Sequence, residues 1–193
     1  MPKLKTLSAR DRILQTAYDL FYRQGYHQTG VNQIIEESGA AKATFYFIFK
    51  SKEDLCVEYL SERSHLEIRA IKDMIKGIKE PHDKYMAIVK GLVEFMEESN
   101  FRGCAFNNMA IEVTEPTNPI RKEVKYHNDA FRSILRDVAQ ELKDSAPKYG
   151  HLNVEEISDT YFLIVEGAIV SSQHYHNSWP IKHAIKAIER LVE

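Results

Sequence analysis

The chain has 193 residues, 44% hydrophobic and 28% charged, which is typical of a folded globular protein and excludes extensive disorder. The net charge of −2 is unevenly spread: residues 1–50 carry seven Lys/Arg against four Asp/Glu, while residues 51–193 carry 19 against 24. A basic N-terminal unit suits phosphate binding. No apolar run is long enough to cross a bilayer or to form the core of a signal peptide, so a cytoplasmic location is expected.

The N-terminal third is predicted to form three short helices followed by a long one. Ser8 begins a Ser-x-x-Asp capping pattern that opens a helix ending near Gly25. Residues 31–38 form a second helix, which Gly39 closes, and residues 42–47 form a third. Ser51 starts another capping pattern and a helix that runs to about residue 76.

The remainder is predicted to be helical too, with no convincing strand. Further helices are expected at 83–99, 104–113, 119–143, 154–176 and 181–192, with proline, glycine and asparagine between them. The sequence therefore predicts an all-α protein of about nine helices.

Residues 31–47 have the anatomy of a helix-turn-helix, in which the second helix enters the major groove of DNA. Two short helices joined by a glycine are common, however, so this spacing alone does not establish DNA binding. The surrounding positions are more specific, and residues 13–55 closely resemble the DNA-binding domain of the TetR family of repressors. The landmarks that carry this resemblance are Ala17, Leu20, Phe21, Gly25, Tyr26, Thr29, Val31, Ile34, Gly39, Lys42, Thr44, Phe45, Tyr46, Phe49, Ser51, Lys52, Asp54 and Leu55.

The resemblance implies a dimeric transcriptional regulator with a DNA-binding domain at residues 1–50 and an effector-binding and dimerisation domain at residues 51–193. We expect a repressor that binds a palindromic operator in double-stranded DNA and is released by a small-molecule or electrophile effector, without a cofactor. An activator, or a helical binding module with weakened DNA recognition, is the alternative. An enzyme is not expected, because no GxSxG, P-loop or HExxH motif is present.

The candidate DNA contacts lie in or beside the helix-turn-helix. Side chains at the start of the recognition helix face the groove, Tyr46 has a hydroxyl for a phosphate, and Lys52 at a helix start forms a plausible phosphate clamp. A helix cap is the alternative for Thr29, and a solvated surface position is the alternative for Lys42. The full set is Thr29, Gly30, Lys42, Ala43, Thr44, Tyr46, Phe47, Ser51 and Lys52.

Two further features bear on DNA recognition. Lys3, Lys5 and Arg10 form a basic arm that either contacts DNA or is a solvated tail. Ala41, Ala43 and Phe47 depart from the serine, glycine and histidine that are frequent in the family, so the base contacts should differ. Phe47 is expected either to touch a thymine methyl group or to pack against the protein.

The last two long helices are expected to form the dimer interface, although an intramolecular core is the competing interpretation. Apolar and small residues recur along one face of each. The candidates are Ile157, Tyr161, Ile164, Val165, Ala168, Ile169, Ser172, Ile185 and Ile188.

The middle helices are expected to line a cavity for a small, largely apolar or aromatic effector, although each candidate is also an ordinary core residue. The candidates are Phe95, Phe101, Cys104, Phe106, Met109, Tyr126, Phe131, Tyr161 and Phe162. Residues 102–115 resemble the Gly-Cys helix start of a TetR subgroup that includes an electrophile-responsive repressor. Cys104 is therefore either a reactive thiol beside Arg102 or a buried, inert one.

The histidines do not indicate a metal site. His174 and His176 are two residues apart and so face different sides of a helix. Surface or interface histidines are the preferred interpretation.

Overall fold

The computed structural model describes residues 7–193, which form nine α-helices and one 3₁₀ turn. The helices are α1 (Ala9–Gln24), α2 (Val31–Ser38), α3 (Lys42–Ile48), α4 (Lys52–Lys76), α5 (Pro81–Glu98), α6 (Ala105–Glu112), α7 (Pro119–Ser145), α8 (Val154–Tyr175) and α9 (Trp179–Arg190). The 3₁₀ turn is Pro147–Tyr149. The all-α prediction is confirmed, and among the described residues no helix is both long and apolar enough to cross a membrane.

Both predicted capping patterns are present. The Ser8 hydroxyl accepts a hydrogen bond from the Asp11 amide at 3.1 Å, and the Ser51 hydroxyl accepts one from the Asp54 amide at 2.9 Å. Each serine satisfies one of the amides left without an intrahelical partner, so it marks where its helix begins.

Two predicted helix starts differ from those observed because of proline. Pro81 and Pro180 lie inside the first turns of α5 and α9, whereas the sequence interpretation placed those helices at 83–99 and 181–192. In the first turn an amide hydrogen has no intrahelical acceptor, so a proline there breaks no bond. The two prolines therefore start helices rather than precede them.

The chain divides into two compact units. The first comprises the described residues up to 64 together with 105–125, and the second comprises 65–104 and 126–193. The first unit therefore extends past the predicted boundary at residue 50, to residue 64 within α4. It also includes α6 and the start of α7, which are distant in sequence from the N-terminal helices.

Each unit has its own apolar core. In the first, Ile13, Phe21, Ile34, Phe45 and Tyr59 are buried, and the rings of Tyr18 and Tyr59 meet edge-on at 4.8 Å. In the second, α5 packs against α8 and α9 through a core that includes Tyr85, Val89, Tyr161, Val165, Ile181 and Ile188. Burial of these side chains is the main force that holds each set of helices together.

Candidate DNA-binding surface and effector cavity

In the first unit α2 and α3 form a helix-turn-helix packed against α1. Gly39 adopts a left-handed conformation with φ of 63° and ends α2, which allows the chain to turn through Ala40 and Ala41 into α3. The Arg12 Nε donates a hydrogen bond of 3.0 Å to the Ser38 carbonyl oxygen, so it ties α1 to the end of α2. Local turn chemistry and one long-range bond therefore orient α3.

The outer face of α3 is available to a partner. Phe45 is fully buried and anchors the helix, while Lys42, Ala43, Tyr46 and Phe47 are exposed. The Phe47 side chain has 89% of its surface exposed and that of Tyr46 has 46%. The helix thus presents one cation, one phenol and two apolar groups to solvent.

Lys52 holds the loop between α1 and α2. Its Nζ donates hydrogen bonds to the Tyr26 carbonyl oxygen at 2.9 Å and to the Thr29 carbonyl oxygen at 3.0 Å, and it lies 4.2 Å from the centre of the Tyr26 ring. Partial burial lowers the pKa of Lys52, while burial raises that of Tyr26 to about 12. Two of the three ammonium donors are therefore used within the unit.

The end of α6 is fastened to the same loop. A carboxylate oxygen of Glu112 accepts a hydrogen bond of 2.8 Å from the His27 amide, and the His27 Nε2 lies 2.9 Å from the Glu112 carbonyl oxygen. Gly25 has φ of 96°, and a Cβ there would lie 2.6 Å from the Glu112 carboxylate. Glycine is therefore required for this close approach, and Glu112 is a positioning residue that no sequence pattern indicated.

The second unit contains a cavity of about 230 Å³ among α4, α5, α7 and α8. Most of its lining is apolar, and the polar side chains in it are Glu67, His127 and Glu166. The His127 Nε2 lies 3.8 Å from a Glu67 carboxylate oxygen, and His127 is buried. The lining residues are Glu67, Ala70, Ile71, Met74, Ile88, Gly91, Leu92, Phe95, Cys104, His127, Phe131, Val165, Glu166 and Ile169.

Comparison with known proteins finds two family models that match this chain. The model for bacterial regulatory proteins of the tetR family matches residues 13–59, and that for the tetracyclin repressor-like C-terminal domain matches residues 81–188, more than half of the chain. The chain belongs to the tetR family of bacterial regulatory proteins. It is a helix-turn-helix transcriptional regulator and not an enzyme, and the family resemblance of residues 13–55 is confirmed.

Two relatives and a solved structure match this tetR-family regulator along nearly its whole length. It is 28% identical over 187 residues to the HTH-type transcriptional regulator LmrA of Bacillus subtilis, covering 96% of this chain and 97% of that protein. It is 31% identical over 186 residues to the uncharacterized regulator YxaF of Bacillus subtilis, covering 95% of each chain. The crystal structure of SCO4454, a TetR-family regulator from Streptomyces coelicolor, superimposes with a TM-score of 0.82 at 25% identity over 95% of each chain.

The predicted DNA contacts fall into two groups in this regulator. Lys42, Ala43, Tyr46 and Phe47 are exposed on α3, Thr44 is half-buried, and Gly30 is exposed at the start of α2. Thr29 is buried, and its hydroxyl donates a hydrogen bond of 2.6 Å to the Gly25 carbonyl oxygen, so it serves the loop rather than a phosphate.

Ser51 and Lys52 also have structural partners. The Ser51 hydroxyl caps α4, and Lys52 binds the two loop carbonyl oxygens. Both residues are half-buried and hold the loop and the start of α4, and the phosphate clamp expected at them stays a prediction.

The basic arm is only partly described. Arg10 pairs with the carboxylates of Glu58 and Glu62, which raise its pKa. Its positive charge is therefore balanced by these two carboxylates. Lys3 and Lys5 lie outside the described residues.

Three of the nine predicted effector-pocket residues line the cavity, namely Phe95, Cys104 and Phe131. Phe162 is half-buried and is not among the lining residues, and its ring centre lies 6.1 Å from that of Phe131. Phe101 packs on the His176 ring at 5.0 Å, and Tyr126 is exposed.

The other three predicted pocket residues belong to the cores of the units. Phe106 and Met109 are buried in the first unit, where the Met109 sulfur lies 3.8 Å from the Cys56 sulfur. Tyr161 is fully buried in the second unit, where it hydrogen-bonds to α5. Burial is common to a cavity lining and a core, so apolar spacing alone could not separate these residues.

The predicted dimer face is largely internal. Of the nine candidates, Ile157, Tyr161, Val165, Ala168, Ile169, Ser172 and Ile188 are buried within the chain itself, and only Ile164 and Ile185 are half-buried. The burial of these seven residues within the chain supports the competing interpretation of them as intramolecular core. The large exposed apolar side chains of α8 and α9 are Leu163, Tyr175 and Trp179, and Trp179 lines a groove together with Ile164, Gly167, Ser171 and Ala187.

Neither cysteine forms a disulfide, and both are buried. Among residues 7–193, no three His, Cys, Asp or Glu side chains come together to hold a metal ion. The residues that the sequence interpretation missed are Glu67, His127 and Glu166 in the cavity, and Glu112 on the loop. Their positions follow from contacts between helices that are distant in sequence.

Proposed function

We propose that this regulator is a repressor that binds a palindromic operator as a homodimer and leaves it when a small molecule occupies the cavity of the second unit. The observation that carries the proposal is the outer face of α3, where Lys42, Ala43, Tyr46 and Phe47 are exposed on the second helix of a helix-turn-helix. In such units this helix reads base edges in the major groove. Operator DNA lies in the cytoplasm, where we place the protein.

The exposed face of α8 and α9 supports a homodimer. Leu163, Tyr175 and Trp179 are large apolar side chains with 68%, 66% and 45% of their surface exposed. The Tyr175 and Trp179 rings lie 5.3 Å apart and form an exposed apolar patch, which is typical of an interaction site. A two-fold dimer meets two half-sites roughly 34–36 Å apart. We expect Trp179→Asp to be a monomer in sedimentation velocity. A variant that stays dimeric would show that the interface lies elsewhere on the chain.

The composition of the cavity supports a small aromatic or apolar effector. Phe95 and Phe131 supply aromatic surface, while Glu67 and Glu166 supply hydrogen-bond acceptors at defined positions. A ligand shifts the equilibrium between conformers only by its difference in affinity for them. The effector must therefore bind the DNA-free conformer more tightly than the operator-bound conformer.

Cys104 supports a second mode of release, by an electrophile. Its side chain lines the cavity, so a small electrophile that enters would meet the thiol. Cys104→Ser should abolish release by N-ethylmaleimide and leave operator affinity unchanged. Unchanged release in this variant would make the thiol irrelevant to the response.

The test of the proposed function is fluorescence anisotropy of the full chain with DNA from upstream of its own gene. Binding should be selective over scrambled DNA and should weaken steeply with salt, because released counterions contribute to the affinity. A reporter gene behind that DNA should rise in a strain that lacks the regulator. A fall would identify an activator instead, and equal binding to scrambled DNA would refute operator recognition and favour a helical binding module.

A further inference from the structure

The recognition helix α3 carries an apolar surface that the fold does not use. Ala43 and Phe47 are four residues apart and so lie on one face of the helix, where both are exposed. Phe47 has 89% of its side-chain surface in solvent. Large apolar side chains gain free energy on burial, so a phenyl ring left this exposed is available to a partner.

Packing of α3 does not depend on Phe47. Phe45 is fully buried, Phe49 is 5% exposed, and their ring centres lie 6.1 Å apart. These two rings anchor the helix and its C-terminal end in the first unit. Of the two roles that the sequence left open for Phe47, packing against the protein is therefore excluded within the described chain.

The charges next to this surface favour nucleic acid as the partner. Lys42 precedes Ala43 and is exposed, and exposed Lys50 follows the helix. The hydroxyl of Tyr46, which is partly exposed, can reach a phosphate oxygen. An apolar strip between two lysines suits the major groove, where phosphates flank the base edges.

We propose that Phe47, with Ala43 beside it, makes this regulator select thymine in its operator by burying the 5-methyl group in the major groove. Thymine alone among the four bases presents a methyl group there, and alanine and phenylalanine side chains contact it. This inference rests on the proposed operator binding and adds the base that is read. Phe47 is the specificity residue, because its ring covers far more surface than the Ala43 methyl group.

The spacing of the two side chains predicts the spacing of the bases. Four helical residues advance roughly 6 Å along the axis, and base pairs are stacked roughly 3.4 Å apart. Ala43 and Phe47 therefore reach bases no more than about two steps apart. Each operator half-site should contain a thymine under Phe47, with a second thymine or another small apolar edge within two base pairs of it.

The experiment begins with selection of operator DNA by the full-length protein from a random duplex library. Each thymine of the selected duplex is then replaced in turn by 2′-deoxyuridine, which removes the methyl group and keeps every hydrogen-bonding atom. Affinities are measured by anisotropy for the wild type, Phe47→Ala, Phe47→Leu and Tyr46→Phe. Thermal unfolding of each variant checks that the fold is retained, which the exposure of Phe47 leads us to expect.

At least one thymine in each half-site, the one that contacts Phe47, should respond. Burial of a methyl group is worth about fourfold in affinity, so replacement in both half-sites should weaken wild-type binding about fifteenfold. Phe47→Ala should bind more weakly and lose this dependence on the methyl group, whereas Phe47→Leu should keep part of it. Tyr46→Phe should bind more weakly but keep the full dependence.

Two results would overturn the inference alone. One is selective DNA binding in which no single deoxyuridine changes the dissociation constant by more than twofold. The other is an equal methyl dependence in the wild type and Phe47→Ala. Selection that enriches no sequence would refute the proposed operator binding as well as this inference.

Discussion

Two tyrosines in the core of the second unit give a test of how hydrogen bonding stabilises it. Tyr85 and Tyr161 are fully buried, and their rings meet edge-on at 5.0 Å. The Tyr161 hydroxyl donates to the Tyr85 carbonyl oxygen at 3.0 Å and accepts from the Val89 amide at 2.9 Å. The Tyr85 hydroxyl is buried and has no hydrogen-bond partner among the described residues.

Removing each hydroxyl should therefore have a different effect. Tyr161→Phe deprives two backbone groups of α5 of a partner, which costs about 1–2 kcal/mol, because the Val89 amide and Tyr85 carbonyl can still bond to each other. Tyr85→Phe removes a buried polar group whose desolvation is uncompensated, so the unfolding free energy should stay the same or rise by up to about 1 kcal/mol. The two variants should thus differ by about 2 kcal/mol.

Urea unfolding at 25 °C and one protomer concentration measures this difference, since stability of an oligomer depends on concentration. The m-value should be the same for the wild type and both variants, because neither change alters the surface that unfolding exposes. Destabilisation by Tyr85→Phe equal to that by Tyr161→Phe would refute the reasoning. It would mean that the Tyr85 hydroxyl is satisfied in solution.

Four further predictions concern the other sites. Lys42→Met should weaken operator binding in anisotropy without changing stability, whereas Lys52→Met should lower the unfolding free energy by about 1–2 kcal/mol, because it removes two loop hydrogen bonds. Glu112→Ala should weaken operator binding several-fold by freeing the α1–α2 loop, and Glu112→Gln, which keeps an acceptor, should retain most of it. Leu92→Trp should fill the cavity and leave operator binding intact. Isothermal titration should then show effector binding at least tenfold weaker than in Leu92→Met. Burial raises the pKa of the Cys56 thiol, so with rising pH this thiol loses its proton in the unfolded chain before it does so in the folded chain. Urea midpoints should therefore fall as the pH rises above about 9, and they should fall less in Cys56→Ala.

Much of the secondary structure follows from local sequence patterns. The 31–38 helix, its glycine cap and both serine caps are as predicted, because periodicity and capping act within a few residues. The exposed face of α3 follows from the same local pattern, once Phe45 is taken as the anchor. The predicted starts of α5 and α9 are wrong by two residues, because a proline that would break the interior of a helix is accommodated in its first turn.

By itself the sequence determined the fold class, the position of the recognition helix and the family, since these depend on local spacing and on a long motif near the N-terminus. Only the tertiary structure decided which cation braces a loop, which aromatic residues line a cavity and which apolar stripe is internal. Lys52, Phe106 and Ile157 show this, since each has the residue type expected of a functional site and lies where packing gives it a structural partner. Burial and hydrogen bonding are set by helices far apart in sequence, so residue type and periodicity do not determine which side chains remain free to bind a ligand or DNA.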